Sequence, residues 1–340
     1  MATLIAIGLA VFVVACGSGP KAHTNSVVVS SCNGAAALCD RRLNAVVFPG
    51  THNSFAASDQ RGWHFASQRY GIGRQLDDGI RAFLIDVHFG VYDTAAGRVR
   101  TDLRAEGSDR NKVAAQLSPA ALRAADRLVG HVGAGRLNGT PEPYLCHTLC
   151  ELGAEPLNQE LEVIRRFLDQ NPDQVLVLIV EDYVPPTIIE RAFKQSGLTR
   201  YVTTLDRGSP MPTLGTLVAS GQRLLVFSEE EGGAPDWYMS APSFIQDTPL
   251  GAARPSQLSC KRYRGQARSP LLLINHWIPP FPPSLFLNAK IGRPGFLRAR
   301  IEQCLKERGF EAAIVAVDFY DRTSTVEVAR ELNSGPAKAR

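Results

Sequence analysis

The sequence predicts an α/β fold, a (β/α)8 TIM-type barrel forming a single domain, and three observations carry that expectation. Eight short apolar runs recur along the chain with helix-like segments between them. The runs are continuously apolar rather than alternating, as parallel strands covered on both faces are. Almost every run ends in polar, chemically capable side chains, as expected where strand C-termini meet on one rim. Eight strands suggest closure into a barrel; a doubly wound open sheet is the alternative.

In chain order the runs are "NAVVFPG" (44–50), "IRAFLIDVHFG" (80–90), "EPYLCH" (142–147) and "QVLVLIVED" (174–182). A weaker "RYVTTL" (200–205) follows, then "QRLLVFSE" (222–229), "PLLLINHW" (270–277) and "AAIVAVDFY" (312–320). Helix-like segments occupy 156–169, 187–196 and 295–308. The stretch 91–140 is long for a barrel connection and rich in Arg and Ala, with one helix expected near 120–129. It reads as an excursion over the rim whose arginines form a solvated face. Arg81, at the base of the second run, is expected to pair with a carboxylate such as Asp77 or Asp78.

The 340 residues suffice for one large domain, and a net charge of +4 is slight at that length, so no nucleic-acid partner is expected. The uncharged residues 3–15 are too few to span a bilayer as a helix but suit a signal-peptide core. They close on "VVAC" ahead of Cys16, which resembles a bacterial lipobox and implies cleavage and lipidation there, although the start carries no Lys or Arg. The expected organisation is a signal peptide at 1–15, a lipidated Cys16 and flexible tether at 16–37, a barrel at 38–330 and a tail at 331–340. An exported protein, anchored on the outer face of the cytoplasmic membrane or secreted, and monomeric, follows. Six further cysteines, Cys32, Cys39, Cys146, Cys150, Cys260 and Cys304, suit three disulfides in an oxidising compartment. The first four fall in two close pairs, yet fifteen pairings are open in principle. Zinc is the rival for "CHTLC", but no matching Cys/His cluster stands elsewhere.

The run ends carry the chemistry: His52 and Asn53, Asp86 and His88, His147, Glu181 and Asp182, Ser228 and Glu229, Asn275 and His276, Asp318 and Tyr320. Histidines titrate near neutral pH, so His52 and His147 on one rim can supply the base and the acid that phosphodiester cleavage needs.

Taken in order, "GTHNSF", "GIRAFLIDVHFG", "YLCH", "VLVLIVED", "LLINHW" and "VAVDFYD" resemble the X-domain barrel of the phosphatidylinositol-specific phospholipases C, over residues 44–321. The resemblance implies His52 as general base or phosphate-binding histidine, His147 as general acid, and Asp318 as the carboxylate that orients His52. Metal-free members place an Asp beside the first histidine, with an Arg and a Lys in later strands. Asn53, Asp86 and Glu181 are instead the choices of calcium-dependent members.

Physics agrees with that sorting. Carboxylates facing an anionic ester repel it by about 1–4 kcal/mol per close pair, and a divalent cation between them reverses the sign. Oxygen ligands point to Ca2+, or Mg2+, rather than zinc. Leu84 stands where calcium-dependent members carry a glutamate, so the expected metal binding is weak and assisted by substrate. Asn275, His276 and Trp277 are expected to contact the head group, with Tyr320 stacking on a sugar ring and His88 ligating metal or phosphate. The apolar 277–286 reads as a proline-stiffened cover of the barrel or as a loop touching membrane. The implied activity is hydrolysis of a phospholipid with an inositol or related head group. A glycerophosphodiester or sphingomyelinase-D-like phosphodiesterase, disfavoured by Leu84, and a non-catalytic surface binding protein are the alternatives.

Overall fold

The computed structural model describes residues 29–102, 127, 137–230, 232–279 and 283–335. The expected signal segment, Cys16, most of the tether and nearly all of the expected 120–129 helix lie outside them.

Among the described residues eleven strands form one sheet: β1 (Phe48–Thr51), β2 (Ala82–Asp93), β3 (Arg98–Thr101), β4 (Glu142–Leu145), β5 (Glu155–Pro156), β6 (Leu176–Asp182), β7 (Leu224–Ser228), β8 (Tyr238–Ser240), β9 (Ile245–Asp247), β10 (Leu271–Asn275) and β11 (Ala312–Val317). Eight of them, β1, β2 and β6 to β11, are parallel neighbours in chain order, and β11 returns to pair with β1. This is a (β/α)8 barrel. Its ladder is interrupted at one place, between β8 and β9, which are joined by the short helix Ala241–Phe244 rather than by hydrogen bonds.

Side-chain alternation divides the strands into two faces. Ala82 and Leu84, Val177 and Ile179, Leu225 and Phe227, Leu271 and Leu273, and Ile314 and Ala316 pack with one another inside the barrel. Phe83, Ile85, Leu178, Val180 and Val226 face outward against helices. The helix Leu157–Gln170 shows why those segments cover the sheet: Leu157, Leu161, Ile164 and Leu168 recur at helical spacing and are all buried. The Pro-Gly break in the first run is dictated by strand spacing. A Cβ on Gly50 would lie 3.1 Å from the Ala82 Cβ and 3.3 Å from Ile314 Cγ2, so β1 needs glycine to fit between β2 and β11.

Two of the eight expected barrel strands are corrected. The 142–147 run forms β4, which pairs antiparallel with the distal half of β2 and belongs to a meander rising above the rim with β3 and β5. The 200–205 run makes only an isolated bridge, Val202 to Leu224, after a 3-10 turn. Their places are taken by β8 and β9, three residues each, too short for an apolar run to announce them. Arg81, at the barrel floor, bonds Gln174 and the carbonyls of Leu76 and Ile80 instead of a carboxylate. The cysteines pair as 32–39, 146–150 and 260–304, which removes the zinc reading of "CHTLC". No described helix is long and apolar enough to cross a membrane.

Candidate active site

The alternation that fills the barrel also builds its mouth. Continuing each inward series by one step gives His52 after β1, Asp86 in β2, Glu181 in β6, Glu229 after β7, Asp247 in β9, Asn275 in β10 and Asp318 after β11. Seven strands thus send a polar side chain upward from a shared apolar interior. A small mouth cleft is lined by His52, Asp86, Glu181, Glu229, Arg264 and Trp277, with Leu84 in its wall.

His52 is fixed from three sides. Its Nδ1 lies 2.9 Å from Asp318 Oδ1, which leaves Nε2 as the nitrogen available to a substrate. Its ring stacks on Trp277 at 4.0 Å and 5°. The Gln68 amide donates to the His52 carbonyl at 2.8 Å and to Val317 O at 3.0 Å, tying the ends of β1 and β11 together. Burial pushes the Asp318 carboxyl up, opposed by the charge and hydrogen bond of His52. Below the histidine, the buried Gln75 accepts from Thr51 Oγ1 and donates to Ser54 O and Tyr70 O, satisfying polar groups of the turn beneath the site.

His147 arrives on the meander, just beyond β4, and the Cys146–Cys150 disulfide closes the loop that holds it. Its Nδ1 lies 2.9 Å from Asp86 Oδ2, and the Asn53 amide nitrogen stands 3.3 Å from the same atom. Loss of water on its inner side disfavours its charge, but the Asp86 hydrogen bond and the charges of Asp86, Glu181 and Asp318 outweigh that and raise its pKa. The side chain is 55% exposed, so it can meet a ligand from above. The His52 and His147 rings face each other at 6.4 Å and 79°. Asn53, Thr148 and Phe319, adjacent to or part of these groups, are three of four described non-glycine residues with positive φ. Such backbone is costly, and here it turns the chain sharply enough to present the two histidines and Asp318.

Asp86 and Glu181 are register partners on adjacent strands. Burial and the neighbouring Asp86 charge push the Glu181 carboxyl up, while the Tyr183 hydroxyl, bonded to it, opposes. Two carboxylates side by side, Asp86 buried and Glu181 half-buried, call for positive charge, and all their donors are hard oxygens. That donor set fits a divalent cation completed by water and substrate. It is no preformed cage: Asp86 is shared with His147, and among the described residues no group of three or more His, Cys, Asp or Glu converges as a metal centre.

Arg264, which sequence reading passed over, reaches the mouth from the long β9–β10 connection. It pairs with Glu229 and, at 2.7 Å, with Asp247, bridging the barrel's interrupted seam. Both carboxylates keep its guanidinium firmly charged against the cost of burial. Burial pushes Glu229 up while Arg264 opposes it.

Four expected substrate contacts are corrected or moved. His88 is 1% exposed and stacked on Tyr183 at 4.1 Å, with burial pulling its pKa down to about 3, so it is packing and neither ligand nor substrate contact. His276 has the outward parity of its strand and bonds the Ile291 carbonyl behind the barrel. Tyr320 is buried with its hydroxyl on Asp78, 2.7 Å away and outside the mouth. Asn275 does belong to the rim, but its amide is held by Asp247 and Thr248 O. Trp277 lines the mouth, stacked on His52.

The family model described as PI-PLC X 1 matches residues 136–333. A PI-PLC X domain-containing protein of Arabidopsis thaliana is 29% identical over 201 residues, 53% of this chain; the chain spans 46% of that relative's length. PI-PLC X domain-containing protein 1 of Arthroderma benhamiae is 23% identical over 328 residues, 89% of each chain. Among solved structures, a phosphatidylinositol-specific phospholipase C from Staphylococcus aureus superposes with a TM-score of 0.48 at 12% identity, over 87% of this chain and 94% of that one. The family match, covering more than half of the sequence and most of the barrel, decides the matter: the chain belongs to the PI-PLC X domain family.

Proposed function

We propose that this protein cleaves a phosphoric diester of the phosphatidylinositol type by paired-histidine acid–base catalysis. One observation carries the reading: two imidazoles, each held at Nδ1 by its own carboxylate, face one another across 6.4 Å at a barrel mouth. A phosphoryl group between them is within hydrogen-bond reach of both free Nε2 atoms.

On this reading a hydroxyl beside the phosphate, such as the 2-hydroxyl of an inositol head group, gives its proton to His52 and forms a new O–P bond. The P–O bond to diacylglycerol breaks, and the leaving oxygen takes a proton from His147. The raised pKa of His147 suits an acid that must start protonated. A cyclic phosphate remains, which water can open with the two histidines exchanging roles. Asp318 and Asp86 keep each ring in the tautomer the transfers require. A divalent cation held by Asp86 and Glu181, with Asn53 adjacent, would offset charge on the phosphate; Ca2+ is the best match to these oxygens.

The test is hydrolysis of phosphatidylinositol, read by the mass of the released head group. The wild type is expected to yield cyclic inositol phosphate. Chelator is expected to suppress the reaction, and His52→Ala to lower its rate about 10²–10⁴-fold. Binding without turnover in every sample would refute the enzymatic reading.

A further inference from the structure

Unlike His52, Asp86 and Asp318, His147 is not placed by a barrel strand. It stands on the loop between β4 and the 3-10 turn Cys150–Leu152, and it must still meet Asp86 in β2. The Cys146–Cys150 disulfide joins this loop to itself, so it shortens the loop without fixing where it points. The far end is fixed instead by a contact with β3. Thr101 closes that strand, which among the described residues pairs only with β2. The Thr101 N–H donates to Glu151 Oε1 at 3.1 Å, and its hydroxyl donates to Glu151 Oε2 at 2.7 Å. The same hydroxyl accepts from the Cys150 N–H at 2.8 Å.

Glu151, Thr101 and Cys150 are all buried. A buried carboxylate, hydroxyl and N–H that satisfy one another lose far more when one is removed than any single bond contributes. The three bonds therefore act together as a clamp between loop and strand. Anchoring continues just beyond it: the His64 N–H donates to the Leu152 carbonyl at 2.9 Å, and a Cβ on Gly153 would lie 2.3 Å from Trp63 Cε3. Inside the loop the Leu149 N–H donates to the His147 carbonyl at 2.7 Å, and Thr148 turns the chain with φ at 64°. Both β3 and β4 pair with the distal half of β2, the strand that carries Asp86. Each end of the His147 loop is thus referred to the strand of its carboxylate partner.

We propose that Glu151 is a positioning residue for His147: through Thr101 it clamps the imidazole's loop to β3 and keeps Nδ1 on Asp86. The kinetic consequence rests on the acid–base reading above, while the placement of the ring does not. Glu151 touches no substrate in that scheme, and its effect passes through the leaving group. A general acid displaced by about 1 Å loses on the order of 10²-fold in rate. A leaving group that needs no proton is indifferent to the displacement.

The experiment compares two substrates and one spectroscopic signal in the full chain. Thr101→Val and Glu151→Ala are expected to lower kcat on phosphatidylinositol about 10²-fold with little change in KM. On an inositol phosphate ester of p-nitrophenol, whose leaving group departs as the anion, both variants are expected to keep the wild-type rate. Thr101→Ser, which retains the hydroxyl, is expected to keep it on both esters. Independently of turnover, NMR reads the His147 Nδ1–H proton, which a bond to Asp86 shelters from exchange with water. That signal is expected in the wild type and in Thr101→Ser and is expected to be lost in Thr101→Val and Glu151→Ala. Equal loss of rate on both esters, a Thr101→Ser that behaves like Thr101→Val, or a signal that survives in all variants overturns the proposal. If the wild type cleaves neither ester, the acid–base reading fails. The Nδ1–H signal then upholds the clamp by its loss or overturns it by its persistence.

Discussion

At the scale of single residues, the site depends on carboxylates whose burial is compensated unequally. Asp318 is buried and bonds one ring nitrogen of His52, which suits the orienting role proposed for it. Asp318→Asn keeps the shape but favours the wrong tautomer, and kcat is expected to fall about 10²–10⁴-fold with little change in KM. Steady-state kinetics with a check of the melting temperature separates this from misfolding.

Glu160 shows the opposite case, a buried carboxylate without a cation against it. Burial and the neighbouring Glu155 charge push its pKa up to about 7. The folded chain then binds more protons than the unfolded one between the two pKa values. Stability is accordingly expected to fall as pH rises through roughly 4.5 to 7, by about 3 kcal/mol in total. Glu160→Gln should flatten that slope and stabilise the protein at neutral pH, which urea unfolding across the range would register.

At the scale of elements, two disulfides of similar chemistry serve different ends. Cys260–Cys304 ties the β9–β10 connection to the helix Pro294–Arg308 with a sequence separation of 44. Cys146–Cys150 closes a separation of only 4 beside His147. Loop-closure entropy predicts a loss of about 4 kcal/mol when the first is replaced by serines and about 2 kcal/mol for the second. Activity is expected to rank the other way, because the short loop carries His147, the proposed general acid. Thermal melts and turnover measured on both double variants decide whether the two rankings cross. The meander itself follows from the length of β2: its first half is a barrel strand, and its second half runs past the rim and recruits β3 and β4.

At the scale of the whole molecule, the barrel is closed everywhere except between β8 and β9, where Arg264 spans Glu229 and Asp247. No ladder hydrogen bonds cross that gap, and β9 is covered there only by loop residues, Asp247 N–H donating to the Arg264 carbonyl and the Asp247 carbonyl accepting from Tyr263, so β8 and β9 are expected to exchange hydrogen about tenfold or more faster than β2 and β6. Exchange mapped by mass spectrometry would show uniform protection instead if the seam were as firm as the rest.

The sequence by itself determined the barrel class, six of its eight strands and most of the rim, because apolar runs and their two-residue alternation are local properties of a strand. Carried one step further, the same alternation separates inward Asn275 from outward His276, a signal present in the sequence all along. Only the tertiary structure decided that His147 descends from an antiparallel meander, that Tyr320 turns to Asp78 and that Arg264 crosses the seam. Those placements depend on which distant segments share a rim once the sheet curls, and no neighbouring residue in the chain encodes that.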